Sequence, residues 1–203
     1  VADHDVPLSE TTADPDPFEQ FGHWFAAAAG VVRMPEAVAL ATADHQGRPS
    51  ARMVLMKGWD RRGFTFHTNY ESRKGLELSG NPWAAMLFYW DPLGRQIRIE
   101  GRVGRLTADE SDAYFATRPY GGQIGALASR QSRPIESREA LDRCVRELTE
   151  AQGGSAVERP EWWGGFRLSP EVLEFWQNRE DRLHDRLRYR REGGRWKMDR
   201  LQP

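Results

Sequence analysis

The chain of 203 residues holds a single cysteine, Cys144, which excludes an internal disulfide and any zinc site built from several thiolates. It also lacks an apolar run approaching the length of a membrane-crossing helix, and nothing near its start reads as a signal peptide. Charge of one sign is missing too. Lysine and arginine number 29 against 30 aspartates and glutamates, for a formal net charge of -1. The global basic excess of a dedicated nucleic-acid binder is therefore absent. No internal repeat and no low-complexity tract interrupts the chain. These absences lead to the expectation of a soluble, cytoplasmic protein whose functional cations, if any, are concentrated locally.

Length suits one compact domain. The first fifteen residues are acidic and proline-bearing, so residues 1–15 are expected to be a disordered leader and residues 16–203 a single domain. Asp16-Pro17 then reads as an N-cap and first helical position, opening a helix that carries Phe18, Phe21, Trp24 and Phe25 on one face and ends near Gly30. Short β-prone runs follow: AVALATA, PSARMVLMK and FTFHT, separated by the turn-forming DHQG and DRRG. A short helix is expected from about Ser72 to Asn81-Pro82. In the run starting at Gln96, polar Gln96, Arg98, Glu100 and Arg102 alternate with Ile97, Ile99, Gly101 and Val103, the pattern of a half-buried antiparallel strand.

TADE at Thr107 to Glu110 fits a capping box, and another helix spans about Ser137 to Gln152. There Cys144 sits at helical spacing from Leu141 and Leu148 and reads as a buried small apolar residue. Six to eight strands with three or four helices that do not alternate with them point to a mainly β fold with flanking helices. A barrel with helices packed outside fits best.

Two stretches concentrate cations. In EFWQNREDRLHDRLRYRR, residues 174–191, Arg182, His184, Arg186, Arg188 and Arg190 share one parity, which predicts a strand with one cationic face. It reads either as a charged edge strand that resists pairing or as one wall of an anion site, since the guanidinium fork suits phosphate and carboxylate. The second stretch is ARMVLMKG followed by TNYESRKG. Ser72, Arg73 and Lys74 stand at a helix start, where free backbone N–H groups, a hydroxyl and two cations can converge on a phosphate. Arg52 and Lys57 lie five residues apart, on opposite faces of a regular strand unless a bulge intervenes. The simplest resolution is two anions, one held by Arg52 with Ser72, Arg73 and Lys74, the other by Lys57 beside the tail's arginines.

RMVLMKG, FHTNYESRKG, NPWAAMLFYW, GRQIRIEGRV, YFATRP, QIGALASRQS, WWGGFR, EFWQNREDRLHDR and WKMDRLQP, in that order, resemble the pyridoxamine 5′-phosphate oxidase family. The resemblance runs from about residue 16 to the end. It implies an FMN-binding split β-barrel working as a homodimer with the flavin at the interface, with no metal, nucleic acid or membrane involved. The flavin contacts it implies are Arg52, Met53, Val54, Lys57, His67, Thr68, Ser72, Arg73, Lys74, Gln96, Gln131, Ser132, Trp176 and Arg186. Substrate contacts are implied at Lys57, Tyr114, Arg118, Gly122, Arg182 and His184, with Arg182 and His184 as the catalytic pair.

The implied chemistry is oxidation of pyridoxine or pyridoxamine 5′-phosphate to pyridoxal 5′-phosphate. Hydride goes to the flavin, oxygen is reduced to hydrogen peroxide, and ammonia leaves from the amine. This chain departs from the pattern at Asn178, where glycine is common, at Gly122, where a serine is common, and at His67, where a tyrosine is common. Two rivals share the fold: a flavin oxidase of the phenazine-pathway type acting on a substrate without phosphate, and a non-catalytic flavin or pyridoxal-phosphate carrier.

Overall fold

The computed structural model describes residues 7–203. Helix α1 (Pro17–Ala29) starts on Asp16, whose carboxylate accepts from the Phe18 backbone N–H at 2.9 Å. Its buried face sends Phe21 edge-on against Phe64 at 4.9 Å and Phe88 at 5.4 Å. Each such ring taken out of water is worth about 1.5–3 kcal/mol, so α1 is welded to the core. Strands β1 (Ala37–Ala43), β2 (Pro49–Asp60) and β3 (Gly63–Asn69) follow, then α2 (Arg73–Gly80), β4 (Trp83–Trp90) and β5 (Arg95–Arg105). Helices α3 (Ala108–Ala116), α4 (Tyr120–Ala128) and α5 (Arg138–Gln152) precede β6 (Trp163–Gln177), β7 (Asp185–Glu192) and β8 (Arg195–Arg200).

The sheet runs β3-β2-β1-β4-β5-β6-β7-β8, and β3 also pairs with β6. Those first six strands therefore close into a barrel, while β7 and β8 extend outward from β6. The expected mainly β barrel with flanking helices is what the chain forms. Strand β5 alternates buried and half-exposed residues as its sequence predicts, with Ile97 and Ile99 fully buried. A second, smaller core of Phe115, Ile124, Ala126, Val157 and Trp163 sits under the helical excursion α3–α5.

Four expectations need correction. Residues 1–6 lie outside the described residues, but 7–15 are not a disordered leader. Leu8 is buried, Arg200 donates to the Leu8 carbonyl at 3.1 Å and to Glu10 Oε1 at 2.9 Å, and Tyr189 Oη donates to the Asp14 carbonyl at 2.6 Å. One apolar anchor and a few long-range hydrogen bonds outweigh the polar composition. Cys144 is only half-buried, because α5 contributes Val145 and Leu148 to the small second core and buries no residue fully.

The tail's strand begins at Asp185, not at Arg182. Glu180–Arg182 form a single 3₁₀ turn, with Asp181 and Arg182 at φ 54° and 60°. The turn is tied by the Leu183 N–H to the Glu180 carbonyl, and by the Arg179 N–H to His184 Nδ1. Finally, the expected count of three or four helices missed α4, whose glycine-rich YGGQIGALA has no side-chain cap at its start.

Candidate active site

Strand β2 carries Arg52, Met53, Val54 and Lys57 along one wall of a cavity of about 940 Å³. Regular alternation would separate Arg52 from Lys57. The cavity is nevertheless bordered by β2 residues of both parities, Ala51, Met53 and Leu55 as well as Arg52 and Val54, so both cations reach it; Lys57 is the extra residue where the β2–β3 register shifts between Met56 and Gly58. The cavity has two cationic groupings with different supports.

The first surrounds the start of α2. Ser72 caps the helix, its Oγ accepting from the Gly75 N–H at 3.4 Å and donating to the Asn69 carbonyl at 2.7 Å. Lys74, only 6% exposed, donates to Thr68 Oγ1 at 3.1 Å, Gln131 Oε1 at 3.2 Å and Ser72 Oγ at 3.3 Å. Burial, then the Arg52 charge, lowers its amine to about 8, against the opposing pull of Glu77. Arg52 and Arg73 both reach Glu77, at 3.1 Å and 2.9 Å. Ser132, which also lines the cavity, stands at φ 72° beside Gln131.

The second grouping lies around Lys57 and Arg118. His67 on β3 stacks on Tyr114 of α3 at 3.9 Å and on Trp163 of β6 at 5.4 Å. Arg118 lies over the Trp163 ring at 4.6 Å, and its Nη1 is buried without a partner. Burial, then the charges of Arg118 and Lys57, lower the His67 imidazole to about 4. A neutral ring between two cations marks this end as a place of uncompensated positive charge, ready for an anion. Gly122 also faces it and supplies no side-chain donor.

The remaining expected site residues are elsewhere in the chain. Gln96, Trp176 and Arg186 are register partners across β5, β6 and β7, and neither they nor Arg182 and His184 line the cavity. Glu174, 2% exposed, takes Arg186 Nη2 and Arg98 Nη2, both at 2.7 Å, and Trp176 rests 4.5 Å from the His184 ring. Arg188 and Arg190 both pair with Asp199. The predicted cationic face is thus largely neutralised by its own sheet. Sequence reasoning missed Glu77 and Trp163. The first was readable as an i,i+4 partner of Arg73 on a helix starting at Ser72.

A cradle of one buried ammonium, two guanidiniums, hydroxyls and a helix start suits the phosphate of a flavin mononucleotide, and the orphaned Arg118 nitrogen beside stacked rings suits a second anionic, aromatic ligand. Comparison with known proteins gives the family. Residues 25–151 match the pyridoxamine 5′-phosphate oxidase family, and residues 163–203 match a second family, described as the pyridoxine 5′-phosphate oxidase C-terminal dimerisation region. The chain is 59% identical to the pyridoxine/pyridoxamine 5′-phosphate oxidase of Rubrobacter xylanophilus over 97% of its own length and 91% of the relative's. The corresponding oxidase of Bordetella petrii is 55% identical over 97% and 93%.

Among solved structures, PhzG from Burkholderia lata in complex with tetrahydrophenazine-1-carboxylic acid superposes with a TM-score of 0.92 at 40% identity, covering 98% of both chains. An FMN-binding protein from Nostoc punctiforme, 17% identical with a TM-score of 0.72 over 94% of this chain and 100% of its own, shares the fold. Among the described residues no helix is long and apolar enough to cross a membrane. The chain belongs to the pyridoxamine 5′-phosphate oxidase family, FMN-dependent oxidoreductases built on the split barrel.

Proposed function

We propose that the protein oxidises pyridoxamine 5′-phosphate or pyridoxine 5′-phosphate to pyridoxal 5′-phosphate with molecular oxygen as acceptor. Hydrogen peroxide is released with either substrate; the amine also consumes water and releases ammonia. The observation that carries this reading is one cavity with two separate cationic groupings, which suits two phosphates better than one. Arg52, Ser72, Arg73 and Lys74 hold the cofactor's phosphate, with Met53, Val54, Thr68, Gln131 and Ser132 beside it. Lys57, Tyr114 and Arg118 hold the substrate's phosphate, with Gly122 leaving room, and His67 remains a neutral aromatic neighbour. The bound flavin supplies the two-electron acceptor. The chain's own part is to fix the reacting carbon, exclude water and compensate charge.

Gln96, Trp176, Arg186, Arg182 and His184 reach a cavity only if a second copy supplies them. The exposed apolar side chains Met53 and Leu55 on β2 and Leu87 and Tyr89 on β4 give a face for that copy to cover. The protein accordingly acts as a homodimer whose C-terminal strands complete the partner's site, with Arg182 and His184 over the substrate. The likeness to PhzG favours one rival, a flavin oxidase of phosphate-free substrates. Turnover separates the two. Pyridoxine 5′-phosphate is expected to be oxidised with peroxide release at least about a hundredfold more efficiently than pyridoxine, the loss of a paired, charge-assisted contact being worth a few kcal/mol. Equal kcat/KM for both compounds would overturn the phosphate-reading role of Lys57 and Arg118.

A further inference from the structure

Glu77 is the most heavily engaged acid of the cavity's first grouping. It lies on the second turn of α2 and is 7% exposed. Oε2 accepts from Thr42 Oγ1 at 2.5 Å, from Ser50 Oγ at 2.6 Å and from Arg52 Nη2 at 3.1 Å, while Oε1 accepts from Arg73 Nε at 2.9 Å. The same hydroxyls return to the guanidinium. Arg52 Nη1 donates to Thr42 Oγ1 at 2.5 Å, and Arg52 Nη2 contacts Ser50 Oγ. Burial would raise the Glu77 carboxyl, but the hydrogen bonds from Ser50, Thr42, Arg73 and Arg52 outweigh it and hold it at about 2. It is therefore an anion at every physiological pH.

A buried carboxylate with this many donors does two things. It immobilises two long side chains that otherwise carry large rotamer entropy, and it fixes which guanidinium edge each presents. Arg73 gives Glu77 its Nε and keeps both terminal nitrogens for another acceptor, while its side chain remains 65% exposed at the mouth of the cavity. Arg52, 19% exposed, is held against β1 by the Leu40 carbonyl as well as by the hydroxyls.

We propose that Glu77 is a positioning residue for the cofactor: through one carboxylate it aims Arg52 and Arg73 at the same phosphate, with Thr42 and Ser50 locking the arrangement. The inference rests on the flavin reading above and goes beyond it by assigning the acid that organises the cradle. A plain counter-ion would act in the opposite direction, since removing its charge would strengthen the binding of an anion.

Flavin fluorescence quenching on the full chain, stripped of flavin and titrated with FMN, measures the effect. Glu77→Gln keeps the shape and loses the charge; its dissociation constant for FMN should rise at least about tenfold, the scale of one charge-assisted contact. In an Arg52→Ala background the same substitution should weaken binding by a clearly smaller factor, because only its hold on Arg73 is left to lose and coupled residues do not add. Thermal melting of each stripped variant shows whether it is folded. Should Glu77→Gln unfold the chain, Thr42→Val and Ser50→Ala, which remove the locking hydroxyls one at a time, must each weaken FMN and lose that effect in the Arg52→Ala background. FMN binding by Glu77→Gln that is unchanged, tighter, or weakened equally in both backgrounds overturns the assignment alone. A wild-type chain that fails to bind FMN overturns the flavin reading and this inference together.

Discussion

Lys74 shows how much of the site one side chain can control. Its amine sits at about 8 in the folded chain against 10.5 for an ordinary lysine, burial being the larger cause and the Arg52 charge the second. Between those two values the unfolded chain holds a proton that the folded chain has lost, so this group makes the flavin-free protein more stable as pH rises through that window. Cofactor binding runs the other way. A phosphate dianion favours the ammonium form, so above pH 8 binding must draw a proton onto Lys74. The dissociation constant for FMN is expected to climb above that pH, with a limiting slope of about tenfold per unit.

Titrations from pH 7 to 9.5 would show the climb. Lys74→Met should bind FMN more weakly and flatten the profile; a profile that stays steep in the variant would assign the proton elsewhere. At this scale the sequence was informative about which residues gather at the start of α2, because capping serine, cations and helix start are local features. Beyond Arg73, the i,i+4 partner, it was silent on Glu77's donors, the other three of which come from β1 and β2.

Among the elements, β6 packs closely on its surroundings through two glycines just after the cavity-lining Trp163. A Cβ on Gly164 would stand 2.1 Å from Tyr70 Oη and 2.7 Å from its Cζ, and one on Gly165 would stand 2.9 Å from His67 Nε2. Both strands can therefore approach closely, Tyr70 Oη can donate to the Gly165 carbonyl at 3.3 Å, and His67 can stack on Tyr114 with Trp163 alongside. Gly164→Ala is expected to cost about 1–3 kcal/mol, since a rigid ring and not a flexible tip must move. Thermal melting checks it, and an unchanged melting temperature would mean that the β3–β6 seam gives way easily.

The WWGG dipeptides announced the close approach only in hindsight. Helices α1, α2, α3 and α5 were legible because each opens on a capping side chain, Asp16, Ser72, Thr107 or Ser137. The bulge at Lys57 and the turn at Asp181-Arg182 were not. Gly58 beside the bulge is no more than a weak cue, and the turn between β6 and β7 has no glycine or proline to mark its positive φ values.

Across the whole molecule, the arrangement of the single chain sets the final test. Arg73 lines the cavity, whereas Arg182 lies on the turn before β7 and does not. If each site of a dimer combines one chain's cavity with its partner's C-terminal strands, the two defects are separable. Arg73→Ala should lose FMN and Arg182→Ala should keep its yellow flavin while losing turnover. Co-refolding the two inactive variants in equal amounts then makes mixed dimers in which one cavity with intact Arg73 meets a partner tail with intact Arg182.

Random pairing makes half the dimers mixed, each with one intact site, so activity should return to about a quarter of the wild-type level per site. Separately refolded and then briefly mixed samples serve as the control. No recovery after co-refolding, in samples shown to contain mixed dimers, would place Arg182 over its own chain's cavity or outside the chemistry altogether. Residue order suggested a shared site only through family resemblance; what makes this test decisive is that, within one chain, Arg73 lines the cavity and Arg182 does not.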